Sequence, residues 1–269
     1  MAVINTRMVS DDSNIPYAII QNMLVVPFRV EDAQKLQNAL LPKPLEPVGK
    51  GDTAWVCFVD TVLPALRDGG DGEPPDPNMT EFHEIAIGMP CRYEGKVKGV
   101  FPLIYLDRPT AGLHRGILRG IANTQLTQFL PMLKGRDKPA PCVKIVGITN
   151  RPTGELMAKA VMELTHAEPW ESVPEELKNF LHVRYIVDPA SGGKLIAADF
   201  TDCVFSQPLA GDVAWRGKCT LEFGGDQYGR FSELGKYETL EGYYLTIGYC
   251  YGSDHKVTDM EGRRPAQWI

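Results

Sequence analysis

The sequence predicts a mainly β protein of the α+β kind folded as one domain, and three observations predict it. Short apolar, β-branched runs recur along the chain, divided by turn residues. Helical spacing is confined to a few short stretches. With 269 residues, 43% of them hydrophobic, the chain is long enough to bury one sizeable core. A single domain over 1–269 is therefore expected, with about 15 N-terminal and about 12 C-terminal residues as extensions.

Met23 to Arg29 reads as a strand. Glu31 to Leu40 follows as a short helix that places Ala33, Leu36, Ala39 and Leu40 on one face. Pro42, Pro44 and Pro47 forbid its continuation. Thr53 to Asp60 is a second strand by its Trp, Val, Cys and Phe content. The acidic, Gly- and Pro-rich stretch Asp68 to Asn78 reads as a mobile surface loop, with a domain boundary as the alternative. His83 to Met89, Cys91 to Tyr93 and Val100 to Leu106 are apolar runs of one sheet or barrel.

In Ala111 to Leu133, Leu113, Ile117, Ile121 and Leu130 recur at near-helical intervals, although Gly112, Gly116 and Gly120 weaken a helix there. Glu155 to Thr165 favours helix by propensity. Glu171 to Phe180 reads as a short amphipathic helix begun near Pro174. Val183 to Val187, Leu195 to Phe205, Lys218 to Phe223 and Tyr243 to Tyr251 are strand-like. No internal repeat is visible.

The 28 Lys and Arg against 34 Asp and Glu give a net charge of -6, with no basic block to track a phosphate backbone, so nucleic acid is not an expected partner. No apolar run approaches the ~18 residues of a membrane helix, and the opening residues lack the pattern of a secretory signal. A cytoplasmic location and no membrane partner are expected. The six cysteines lie far apart without a C-x-x-C pair, which reads as buried thiols rather than a metal site.

Three stretches together resemble the acetoacetate decarboxylase family. They are MLVVPFRVEDAQKLQNALLPKPLE, EIAIGMPCRYEGKVKGVFPLIYLDRPTA, and DVAWRGKCTLEF with the later YYLTIGYCY. The resemblance implies a single closed β-cone or barrel with an apolar interior pocket and a few short helices around it. It also implies that Glu155 to Thr165 is a strand, barrel pairing overriding helix propensity. The family forms homo-oligomers, and assembly is expected here on the same ground.

The family's decarboxylases hold the substrate ketone as a Schiff base on one of two adjacent lysines. Counting on from Tyr105-Leu106-Asp107 reaches Ile121-Ala122-Asn123-Thr124-Gln125, and no lysine stands between Lys98 and Lys134. The Schiff-base lysine is missing at the matching position. Lys134 is its one possible replacement, if the preceding segment contains an insertion; Lys96 and Lys98 read as surface residues. The family's site arginine falls on Gln21, while its pocket glutamate falls on Glu84. His114-Arg115-Gly116 matches the family's "G-R-E" turn only in its arginine.

The resemblance thus implies a lyase that works without a Schiff base and without a cofactor, on a small keto-acid, enol or aromatic-ketone metabolite. Glu84, buried without its arginine partner, is expected to have a raised pKa and to act as general acid or base. Arg115 and His114 complete the catalytic set, Arg115 or Arg119 holding a carboxylate or enolate oxygen and His114 shuttling a proton. Gln21, Asn123 and Arg119 are the substrate-binding candidates. Each has a bland counterpart: Glu84 as a carboxylate bonding backbone amides, the arginines as solvated charges, His114 as structural. An isomerase, cyclase or hydrolase using the same pocket is the alternative among enzymes, and a non-catalytic ligand binder is the alternative outside them.

Overall fold

The computed structural model describes residues 18–62, 81–107, 118–121, 123–126, 140–188, 194–202, 205–210, 213–224, 234–251 and 255–259. Sixteen strands and one α-helix follow one another in these residues. They are β1 (Ala18–Val30), α1 (Ala33–Leu40), β2 (Glu46–Pro47), β3 (Thr53–Val62), β4 (Glu81–Tyr93), β5 (Lys96–Leu106), β6 (Leu118–Ile121) and β7 (Asn123–Leu126). There follow β8 (Lys144–Asn150), β9 (Leu156–Pro169), β10 (Phe180–Asp188), β11 (Lys194–Asp202) and β12 (Phe205–Ala210). The last are β13 (Val213–Phe223), β14 (Tyr237–Thr239), β15 (Gly242–Tyr251) and β16 (His255–Asp259).

All sixteen strands belong to one sheet, with the main path β16-β11-β10-β5-β4-β3-β1-β15-β13-β9-β8-β7. A closed ring was expected; among the described residues the hydrogen-bond ladder is open, with β7 and β16 at its ends. The sheet nevertheless rolls far enough to bring β7 and β8 against β3 and β4. Strand twist accumulates over so many strands, and the roll buries the concave face. Residues 118–126 bridge the gap in an unusual way. β6 pairs parallel with β5, and β7 pairs antiparallel with β8. The two halves of one short segment thus join two distant parts of the sheet.

The concave face is filled from every side by Leu24, Val26, Phe28, Val56, Phe58, Ile85, Ile87, Ile145, Ala160, Met162 and Tyr244, all buried. Gly147 lets β8 approach β3: a Cβ there would lie 2.5 Å from the Phe58 ring. The helix α1 covers one end of this core. Asp32 accepts a hydrogen bond from the Lys35 backbone N–H at 3.1 Å, Leu36 and Leu40 point inward, and the chain leaves the helix before Pro42. The convex face carries a second apolar cluster, including Val25, Trp55, Cys57, Val59, Phe101, Leu106, Tyr243 and Leu245.

Two helical expectations are corrected. Glu171 to Phe180 forms no α-helix but two single 3-10 turns, Trp170–Ser172 and Glu175–Leu177. Between them Val173 is extended, as the residue before a proline tends to be. Gly99 of β5 lies directly under the Glu176 carbonyl, so these turns press on the sheet without a side chain between. In the segment from Ala111 to Leu133, the described part consists of β6 and β7 rather than helix. Pairing with β5 and β8 outweighs the four-residue spacing there. β9 is a strand as the resemblance implied: Ala158, Ala160, Met162 and Leu164 are buried in strict alternation, and both edges are paired. The loop expected at Asp68 to Asn78 lies outside the described residues. Among the described residues no helix is long and apolar enough to cross a membrane.

Candidate active site

Five neighbouring strands in the middle of the sheet pair antiparallel: β15, β1, β3, β4 and β5. Residues paired across strands share a face, and consecutive residues point to opposite faces. The register therefore sorts the candidate side chains into two sets.

On the face of Phe58, which is the concave one, the pairing aligns Thr246, Asn22, Asp60 and His83 across β15, β1, β3 and β4. Asp107, just beyond β5, completes the row. Two residues along each strand lie Tyr244, Leu24, Phe58, Ile85 and Tyr105, an apolar floor beneath it. The row is closely knit. The His83 Nδ1 lies 2.6 Å from Asp107 Oδ2, and its Nε2 lies 3.4 Å from Asp60 Oδ1. The His83 backbone N–H also donates to Asp107 Oδ1 at 2.8 Å, and the Asp107 N–H donates back to the His83 carbonyl at 3.0 Å. These two bonds continue the ladder and fix where the carboxylate sits. At the other end the Thr246 hydroxyl donates to Asn22 Oδ1 at 2.8 Å.

Burial grades along the row. Asn22 and Asp60 are completely buried, whereas the His83 and Asp107 side chains keep 25% and 20% exposure. The site is thus reachable from the β5 side and closed at the β1 side. The Asn22 Nδ2 is buried and has no hydrogen-bond partner among the described residues. Such a donor is costly unless something accepts from it. Asp60 and Asp107 approach opposite nitrogens of one ring, so the three groups do not converge on a point. Among the described residues no group of three or more His, Cys, Asp and Glu is arranged to hold a metal ion.

The convex face carries the residues picked out by the family match. Glu84 stands between Val59 of β3 and Leu106 of β5, half-buried. Two residues along lies Cys57, whose thiol pKa is pushed well above its usual value, first by burial and then by the Glu84 carboxylate. Gln21 lies on the same face, 8% exposed, and its Nε2 donates to the Thr61 hydroxyl at 3.1 Å. The structure brings Gln21 and Glu84 onto one face, two strands apart. Arg119 lies in β6 and Asn123 opposite Asn150 in β7, but their side chains are outside the description. His114, Arg115 and Lys134 lie outside the described residues.

Asn22, Asp60, His83, Asp107 and Thr246 were not singled out from the sequence. Their signal was present: each sits two residues from a buried or half-buried core residue in an apolar run, in the alternate position that should face the core. An open groove of about 650 Å³ lined by Arg29, Val30, Glu31, Gly235, Lys236, Tyr237 and Glu238 lies at the far end of β1 and holds none of these groups.

The family described as acetoacetate decarboxylase has a profile that matches residues 6–260. No curated protein matches the chain by sequence. Among solved structures the chain is similar to the enduracididine biosynthesis enzyme MppR, complexed with the condensation product of pyruvate and imidazole 4-carboxaldehyde. The TM-score is 0.75 at 18% identity, over 91% of this chain and 90% of that one. It is also similar to an acetoacetate decarboxylase-like enzyme from Sphingomonas wittichii RW1, with TM-score 0.71 and 17% identity over 92% and 94% of the two chains. Acetoacetate decarboxylase from Legionella pneumophila subsp. pneumophila str. Philadelphia 1 gives 0.67 and 20% over 91% and 88%. At these identities the likeness is one of fold.

Proposed function

The chain belongs to the acetoacetate decarboxylase family, and from that premise we propose that it is a lyase acting on a small carbonyl metabolite by proton transfer, without a Schiff base. One observation carries the reading: residues 99–133, which span the family's lysine pair, contain no lysine. Without an amine there is no iminium to accept electrons from a breaking C–C bond. The electrons must then rest on an enolate oxygen, and the protein must move protons at the carbon beside it.

The substrate class is a keto-acid, an enol or an aromatic ketone. The structural relative MppR, complexed with a condensation product of pyruvate and imidazole 4-carboxaldehyde, supports a carbonyl compound. Glu84 is the group that the family match selects as acid or base. Its flanks, Val59 and Leu106, are apolar, and its field reaches Cys57. In this role the ionised carboxylate removes a proton from the carbon next to the carbonyl. It then returns that proton to the same carbon or to a departing hydroxyl.

The test is a screen of keto-acids and aromatic ketones for turnover by wild type and Glu84→Gln, with borohydride added to parallel reactions. The reading expects turnover that borohydride does not trap on the protein. A stable covalent adduct on any lysine, Lys134 included, would overturn it. Glu84→Gln with full activity would remove Glu84 from the chemistry while leaving the lysine-free route standing.

A further inference from the structure

The strands β8, β9 and β13 bury Ile145, Ala160, Met162 and Leu221 on their concave side. Their alternate residues face outward, and the register sorts these into three rows that cross the strands. Lys144, Glu163 and Lys218 stand opposite one another in the first row. Val146, Val161 and Thr220 form the middle row, and Ile148, Lys159 and Glu222 form the third. The five charged residues are exposed, while Val146, Val161 and Ile148 are half-buried. An apolar, β-branched trio therefore lies on the outer face of the sheet, framed by charges. We propose that this face binds a second copy of the same chain, about a two-fold axis that runs along the middle row, across the strands.

The order of the charges carries the proposal. A two-fold interface brings one patch against itself, so that residue i meets j and j meets i. An axis along the middle row keeps each strand over its own counterpart and exchanges the two outer rows. Glu163 then faces Lys159 of the second copy, and Lys218 faces Glu222 of the second copy. Symmetry repeats both pairs in the opposite sense. Lys144 lies over Ile148, which its aliphatic stem can cover. An axis along β9 instead would set Glu163 against itself and Lys144 against Lys218, like charge on like. The pattern thus fits one arrangement and opposes the other.

The remaining terms agree with it. Sheets packed face to face lie about 10 Å apart, a gap that a lysine and a glutamate reaching towards each other can span. The chain carries a net charge of -6, which opposes self-association, but this face holds three lysines and two glutamates. Within one chain Lys144 and Glu163 are 3.9 Å apart, with side chains 64% and 52% exposed, a loose pair that leaves Glu163 open to a second cation. Three strands about 4.8 Å apart, each contributing about seven residues of about 3.4 Å, give a patch of roughly 14 by 24 Å. That is small beside permanent interfaces, so the dimer is expected to be weak and reversible.

The experiment is sedimentation equilibrium of the full chain, carried into the high micromolar range. The proteins are wild type, Lys159→Glu, Glu163→Lys and an equimolar mixture of the two variants, one of them fluorescently labelled. Circular dichroism first shows each folded. Wild type is expected to dimerise, and each single variant to raise the dissociation constant about 10-fold or more, because like charges then face each other across the axis. The mixture is expected to regain a dimer that contains one chain of each kind. One variant carries lysine at both positions and the other glutamate at both, so every facing pair is again opposite in sign. A merely structural role for either residue would not give that recovery. Wild type that stays monomeric throughout overturns the proposal and leaves the face to a partner of another kind. Single variants that assemble like wild type, or a mixture that fails to regain the dimer, overturn it as well.

Discussion

The concave and convex faces of the same strand ends are built from alternating residues of the same segments, yet they differ in chemistry. On the concave face the polar groups meet: two carboxylates, an imidazole and an amide stand in one row over an apolar floor. On the convex face Glu84 stands among Val59, Leu106 and Cys57, and Gln21 is bonded to Thr61 two strands away. Resemblance to a family selects positions, and it selects the convex Glu84. Cross-strand register selects neighbours, and it selects His83. The difference teaches that a match along the chain and a cluster in space are separate signals, separated here by one residue.

The contrast can be broken first through the core beneath the row. Gly147→Val drives a side chain into the Phe58 ring and should cost about 3 kcal/mol or more, read from chemical denaturation. Little change would mean that the concave face is not the packed interior. Asp60→Ala should cost about 2–3 kcal/mol, because Asp60 is fully buried beside a histidine that needs it. A neutral result would dissolve the row as a unit.

The thiols give a pH dependence that reaches both faces. Burial pushes Cys91, on the concave face, up to about 12, with nearby Lys98 acting in the opposite direction. Cys57, on the convex face, is raised by burial and then by Glu84. Folded thiols hold their protons to higher pH than unfolded ones. Stability is therefore at its full value below the unfolded pKa of roughly 8.5 and falls as pH rises towards about 12. Denaturation midpoints across pH 7 to 11 should show the fall, and Glu84→Gln should make it shallower. The smallest effect separates function from packing. Glu84→Leu places an apolar side chain between Val59 and Leu106 and should raise stability by about 0.5–1 kcal/mol. Destabilisation would show that Glu84 holds the strand rather than serving chemistry.

Much of the fold was legible because burial leaves a period-two trace. β1, β3, β5, β13 and β15 each contain an apolar, β-branched run, and Glu31 to Leu40 carries an apolar stripe. β9 was legible only through the family resemblance, since its Glu, Leu, Met, Ala and Lys content favours helix and only pairing on both edges makes it a strand. β8, with a glycine and terminal Lys and Asn around Ile145 and Ile148, offered too weak a pattern. The motif count selects Gln21 and Glu84, and the register puts the two on one face. Asp60 and His83 were not singled out, because both alternate sets of these strands contain apolar residues, and only the partners across the sheet show which polar residues meet. Asp107 was read only as part of a Tyr-Leu-Asp motif.

The hydrogen bond between Thr246 and Asn22 joins residues 224 positions apart. Chains emerge from the ribosome at roughly 5–20 residues per second, so on the order of 10 to 45 seconds separate the birth of one partner from that of the other. β1 must wait through that interval with one edge unpaired, and its amide without the hydroxyl that turns it. A growing chain can set Asp60, His83 and Asp107 side by side early, but the orientation of the Asn22 amide is fixed only when β15 arrives.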